Sequence, residues 1–339
     1  MSEQIITTDV TAPQLEECIK LSVKSKRPLF IWGPPGAGKT SIVSQVADSL
    51  LHKLIDERPA QRDPVDYRGV PYIVDGKAIW TRPDFLPDEN DTGKYICSLE
   101  ELSAAPPANQ VVLYQVLLER RLGSYKVPDG VAFVATGNRE TDRAVAGRMS
   151  TALANRFWHV TLIVDMQAWC VWALQNGIRP ETVAFIRLRP ELLHKFDPTK
   201  SDEKAFPTPR SWHIVSDLQE AGIDPSIEFS AIAGTIGKGA AAEYLGFLRI
   251  YRQLVSPDVI LLDPLGADIP DNPSALYAVC SALARRASPN TIDRIIQYAD
   301  RLREEFSVMT VKDCALRNKA CLSSAGFTQW AIAHPDVMF

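Results

Sequence analysis

Up to about residue 165, short apolar runs rich in β-branched and aromatic residues alternate with stretches whose apolar residues return at helical spacing. The runs are Leu29 to Trp32, Leu54 to Ile55, Tyr95 to Leu99, Val131 to Thr136 and Trp158 to Val164. Strands this apolar, separated by helices, predict a mainly parallel sheet covered by helices on both faces. Between the first two runs, Ile42, Val43, Val46, Ala47, Leu50, Leu51 and Leu54 keep a helical period, so one face of that helix is predicted to lie on the sheet. Residues 66–88 break the alternation: Asp75 and Gly76 form a turn signal between strand-like residues, and a hairpin insertion is predicted. A second hairpin is predicted at 122–130. Beyond the core, 1–165, helical patterns dominate, giving an expected helical segment at 166–254 and a helical C-terminal extension at 255–339, with Pro-rich joints between helices.

Composition narrows the partners. The 339 residues are 46% hydrophobic, enough for a sizeable core, and 37 Lys and Arg against 41 Asp and Glu leave a slightly negative chain. No basic tract stands out, so nucleic acid is not the expected partner. The six cysteines are far apart, form no CxxC pair and lie mostly in apolar periodic segments, as reduced thiols of a cytoplasmic protein would. The first residues carry no basic region followed by an apolar stretch, and no segment has the apolar length of a bilayer span, so no membrane association is expected.

The strongest chemical signal follows the first strand. Gly33-Pro34-Pro35-Gly36-Ala37-Gly38-Lys39-Thr40 matches every fixed position of the phosphate-binding P-loop and sits between a predicted strand and a predicted helix, with Ser41 next in the helix. The glycines let the chain wrap closely around phosphate oxygens, so that backbone N–H groups and the helix N-terminus face the anion. Lys39 is expected to reach the β and γ phosphates, and Thr40 to ligate Mg²⁺. A nucleotide phosphate is therefore the expected ligand.

The strand Tyr95 to Leu99 ends in two carboxylates, as a Walker B element does: Glu100 is assigned to the metal and Glu101 to polarising the attacking water. The strand Val131 to Thr136 leads into Gly137-Asn138, which brings an amide to the sheet edge where α/β proteins gather site residues, and Asn138 is expected to orient the water. Acid pairs at strand ends are also ordinary surface chemistry, and an Asn after Gly is also a common turn. The upstream loop is what favours the functional reading.

Taken together these residues resemble the AAA+ ATPases and, within them, the MoxR-like branch, over about residues 10 to 250. Glu101 to Gly130 is similar to the stretch after Walker B in that branch. Val134 to Ala144 is similar to its sensor 1 strand and loop, Ala152 to Phe157 to its arginine-finger segment and Phe206 to Trp212 to its sensor 2 helix start. The resemblance implies an AAA+ α/β P-loop NTPase core, a helical lid and a helical extension, with ATP and Mg²⁺ as cofactors. It implies that Arg156 enters the nucleotide site of a neighbouring subunit as an arginine finger and that Arg210 links nucleotide state to the lid. It further implies self-assembly into a ring, expected to be a hexamer, and a chaperone-like role on a client protein, often with a partner carrying a von Willebrand factor A domain. The two hairpins match insertions of this branch that tend to face a pore or partner; their other reading is sheet-edge decoration.

One departure concerns the acids. The family's Walker B runs through four apolar residues into Asp-Glu, whereas this strand contains Ser98 and has Glu100 in the Asp position. A longer side chain is expected to crowd the octahedral water shell of Mg²⁺ and slow hydrolysis while leaving binding intact. Two other readings therefore stay open: an ATP-gated scaffold with little hydrolysis, and a nucleic-acid motor. The histidines His52, His159, His194, His213 and His334 show no metal-ligand spacing. Gly234, Gly237 and Gly239 are expected to mark close helix packing rather than a second phosphate loop.

Overall fold

A computed structural model describes residues 8–122, 125–139, 149–199, 204–254 and 256–335, with the side chains of residues 68, 78 and 79 left aside. The chain divides into two compact units: Met1–Val164 with Asp197–Thr199, and Asp165–Phe196 with Lys200–Phe339.

The first unit runs β1 (Asp9–Val10), α1 (Ala12–Ser25), β2 (Leu29–Trp32), α2 (Lys39–Ser49), β3 (Lys53–Glu57), α3 (Pro64–Arg68), β4 (Pro71–Val74), β5 (Lys77–Trp80), β6 (Tyr95–Leu99), α4 (Pro107–Glu119), β7 (Arg121–Leu122), β8 (Tyr125–Lys126), β9 (Val131–Gly137), α5 (Thr151–Ala154) and β10 (Trp158–Leu162). Its main sheet has six strands in the order β1-β10-β2-β9-β6-β3. Every pairing in it is parallel. The predicted apolar runs form its four inner strands and the edge strand β3; β1, only two residues long, carried too little pattern to be foreseen.

Side chains alternate along each strand and divide the core in two. Leu29 and Ile31 of β2, Ile96 of β6 and Val134 of β9 bury against α1 and α2, which supply Leu15, Ile19, Ile42, Val43, Val46 and Ala47. Phe30, Tyr95, Cys97, Phe133 and Ala135 bury on the opposite face with Leu113 and Val116 of α4. With its phosphate loop after β2, this unit is an α/β P-loop NTPase fold, as expected. The α2 helix ends earlier than its period suggested: Leu51 has φ 55° and is 90% exposed. Leu54 belongs to β3 instead.

The strands β4 and β5 pair antiparallel around Asp75 and Gly76, whose φ values of 48° and 72° suit a tight two-residue hairpin turn. The segment leading into it is tied down by Glu57, a buried carboxylate. Tyr67 donates to Glu57 at 2.8 Å, and Arg62 makes bonds of 3.1 and 3.2 Å to its two oxygens. Tyr72, Ile73, Val74 and Trp80 are exposed on this hairpin. The strands β7 and β8 also pair antiparallel, with residues 123–124 between them outside the described residues.

The second unit is helical: α6 (Met166–Gln175), α7 (Pro180–Leu188), α8 (Pro209–Glu220), α9 (Glu228–Ile236), α10 (Lys238–Gln253), α11 (Pro257–Leu262), α12 (Pro273–Arg285), α13 (Ile292–Ala299), α14 (Glu304–Arg317) and α15 (Ala325–Ala333). Phe185, Trp212, Tyr244 and Phe247 form an aromatic cluster among α7, α8 and α10. A second core joins α12, α13, α14 and α15. Between α7 and α14, Arg187 and Asp313 make a two-pronged ion pair, with Nη2 to Oδ1 at 2.7 Å and Nη1 donating to Oδ2. The close packing expected at Gly234 and Gly239 is not found, since an added Cβ at either meets nothing within 4 Å. Gly237 instead breaks α9 from α10 at φ +83°, where a Cβ would lie 2.8 Å from the Ala205 carbonyl. No described helix is long and apolar enough to cross a membrane.

The Arg187 pair is nearly shut off from water, with Asp313 1% exposed. Asp313→Ala strands the guanidinium and is expected to cost about 3–5 kcal/mol, read from urea unfolding of the full chain; a loss under about 1 kcal/mol, the scale of an exposed pair, would show that water replaces the carboxylate. No cysteine is bridged, and all but Cys18 are buried. Burial pushes the Cys170 thiol up to about 11 and the Cys280 thiol up to about 12. Ellman's reagent at pH 8 is therefore expected to find Cys18 first; rapid reaction of further thiols in the folded chain would contradict this burial.

Candidate functional site

The loop Gly33–Gly38 joins the inner strand β2 to α2. Gly36 and Gly38 have φ of 73° and 96°, backbone states that a side chain would strain. A Cβ on Gly33 would lie 3.1 Å from the Leu162 carbonyl. In any α-helix the first-turn amides lack acceptors within the helix, and Gly38 brings no side chain to cap those of α2. Lys39, Thr40 and Ser41 occupy this first turn, so it offers donors and positive potential to an anion. Lys39 Nζ donates to the carbonyls of Gly33 at 2.8 Å and Pro34 at 3.1 Å, and to Asn138 Oδ1 at 3.0 Å.

Strand parity decides which acid meets this loop. Along β6, Ile96 faces α2, and Ser98 and Glu100 follow it at intervals of two. Ser98 is in register with Val134 of β9, and continuing that ladder brings Glu100 beside Thr136. Glu100 is 5% exposed. Its Oε2 accepts from Thr40 Oγ1 and Thr136 Oγ1, both at 2.7 Å, and its Oε1 accepts from Ser98 Oγ at 2.5 Å. The Glu100 amide donates to the Glu57 carbonyl at 2.7 Å, extending the pairing with β3. Neither Ser98 nor Thr136 was singled out as a site residue from sequence. Alternation along two strands puts them on the Glu100 face, but spacing along a single chain does not give the register between β6 and β9.

The next acid behaves differently. Glu101 takes a left-handed conformation, φ 54° and ψ 35°, and its side chain is exposed. Its amide donates to Thr136 Oγ1 at 3.2 Å, so one hydroxyl touches both acids. Asn138 follows Gly137, where a Cβ would come 2.8 Å from the Phe30 ring and from Ser103 Oγ. That crowding leaves room only for glycine, and the next residue, Asn138, is the one that meets Lys39.

At the other side of β2, Trp32 Nε1 donates to His159 Nδ1 at 3.0 Å, while His159 Nε2 lies 2.8 Å from the Ala154 carbonyl. These partners suit a neutral ring with its proton on Nε2, a structural role that links β2 to the segment carrying Arg156. Arg156 donates to Tyr114 Oη at 2.8 Å, and its guanidinium lies 4.9 Å from the centre of that ring. Its Nε is buried with no partner. Arg210 lies on the other unit, exposed in the first turn of α8. Of the expected sensor 1 loop, residues 140–144 lie outside the described residues.

Thus Lys39, Thr40, Glu100 and Asn138 converge, with Glu101 adjoining through Thr136. The donor set suits a hard divalent cation bound alongside phosphate: Thr40 donates its O–H hydrogen bond to Glu100 and keeps oxygen lone pairs available. No cluster of three or more His, Cys, Asp or Glu able to hold a metal occurs among the described residues.

No protein-family model matches this chain, and no curated protein matches it. Among solved structures, it is similar to NtrX from Brucella abortus in complex with ADP, at 14% identity and TM-score 0.41 over 96% of this chain and 68% of that one. It is also similar to a mutant form of RuvB from Thermotoga maritima, at 14% identity and TM-score 0.38 over 80% of this chain and 81% of that one. Both likenesses are loose; the fold assignment rests on this chain's own parallel sheet and phosphate loop.

Proposed function

We propose that this chain is an AAA+ ATPase that binds ATP with Mg²⁺ at Gly33 to Ser41 and works in a ring to remodel a partner protein, in the manner of the MoxR-like branch it resembles. The observation that carries the nucleotide reading is the convergence of Lys39, Thr40 and Glu100 at the uncapped start of α2. In this reading, the first-turn amides and Lys39 hold the phosphate chain, and the Thr40 hydroxyl, oriented by Glu100, faces the cation. Mg²⁺ bound there supplies charge neutralisation to the phosphates. Glu101, whose exposed side chain follows the buried acid, takes the proton of the attacking water. Asn138 exchanges its contact with Lys39 for one with water or phosphate.

Arg156 serves a neighbouring copy, and Arg210 reports nucleotide state to the helical unit. Both roles rest on the family resemblance, as do the hexamer, the client and a partner with a von Willebrand factor A domain.

Phosphate release from ATP with Mg²⁺, measured across protein concentrations, tests this directly. Turnover is expected to rise with concentration and to vanish in Lys39→Ala. Arg156→Ala is expected to lose about 10³-fold while still binding ATP. Native binding without turnover at any concentration would replace this reading with the ATP-gated scaffold, and salt-sensitive stimulation by DNA or RNA would favour a nucleic-acid motor.

A further inference from the structure

Glu100 differs from the carboxylates around it in what it accepts. Glu57 is held by Arg62, whereas the donors to Glu100 are the hydroxyls of Thr40, Thr136 and Ser98. They come from different elements: Thr40 from α2, Thr136 from β9, and Ser98 from the strand that ends in Glu100 itself. Ser98 and Glu100 share a strand face two residues apart. The extra methylene of Glu, relative to Asp, gives the chain the reach to meet Ser98 on one oxygen while the other meets Thr40 and Thr136.

We propose that Ser98 and Thr136 are positioning residues that clamp the Glu100 carboxylate between β6 and β9 and, through Thr40, orient the hydroxyl that receives the nucleotide's divalent cation. This rests on the nucleotide reading above. In an all-hydroxyl cradle the carboxylate keeps its charge unpaired by any Lys or Arg donor among its hydrogen bonds, so its field remains directed toward Thr40 and a cation there. The serine within β6 and the glutamate after it act as one adaptation: the longer acid needs a tether, and the serine supplies it. Thr136 has a second duty, because the same hydroxyl accepts the Glu101 amide and so fixes the left-handed turn from which Glu101 departs. Partners of this kind typically affect metal affinity by about 10–100-fold.

The test uses the full chain and a fluorescent ATP analogue, titrated with Mg²⁺ and separately in EDTA, with thermal melting as a check on folding. Ser98→Ala and Thr136→Val are expected to raise the Mg²⁺ concentration needed for half-maximal binding by about 10-fold or more, with binding in EDTA unchanged. Thr136→Ser, which keeps the hydroxyl, restores the native titration. Glu100→Asp is expected to lose Mg²⁺ dependence and turnover, because the shorter arm cannot keep Ser98, Thr40 and Thr136 together; adding Ser98→Ala to it then changes little. A native Mg²⁺ titration in Ser98→Ala, or faster hydrolysis in Glu100→Asp, overturns the clamp while leaving nucleotide binding standing. A native chain that binds no nucleotide removes the nucleotide reading and the clamp with it, whereas one that binds nucleotide without regard to Mg²⁺ removes the clamp alone.

Discussion

A carboxylate shut away from water must find hydrogen-bond donors, and at the end of β6 that requirement organises the site around Glu100. Its partners come from α2, β9 and β6, so it can be satisfied only when the phosphate loop, the strand beside it and its own strand are all in register. The parallel ladder of β6 with β9 sets one contact, and the packing of α2 on the Ile96 face sets another. The apolar cores on the two sheet faces give this corner its rigidity. Residues such as Phe30 and Ile31, fully buried in opposite directions from adjacent positions, each contribute about 1.5–3 kcal/mol by burial.

Much of the first unit was legible in the sequence because inner strands of a parallel sheet are buried on both faces and read as unbroken apolar runs. LFIW announced itself this way, and YICSL did so despite its serine. The phosphate loop was legible because its glycines are demanded by backbone geometry, at Gly36 and Gly38 above all. What could not be read was lateral. A sequence gives spacing along a strand but not which residue of the next strand lies beside it. The meeting of Thr136 with Glu100 and the contact of Asn138 with Lys39 therefore emerged only from the sheet. The same limit explains Ser98, which looked like a flaw in an apolar strand and instead bonds the acid two residues on. Leu51 misled in the other direction: its helical period continued past the helix end, into a left-handed turn exposed to water.

The helical unit follows a similar rule at longer range. Its periodicity was plain, but nothing along the chain tied Arg187 to Asp313, and their pairing holds α7 to α14 across more than a hundred residues. Around them Cys170, Cys280 and Cys314 are buried thiols within reach of the pair's charges. The glycines near 237 show how a motif-like spacing can have a plain cause, since one of them separates two helices and the other two face open space.

The alternation along β6 also limits how this strand can vary. Because Glu100 meets α2 only while it shares a face with Ile96 and Ser98, gaining or losing one residue between Ile96 and Glu100 would turn the carboxylate toward α4 and the opposite core. The apolar side chains of β6 can be exchanged for others of similar volume, but the count of residues between its buried start and its acid cannot drift.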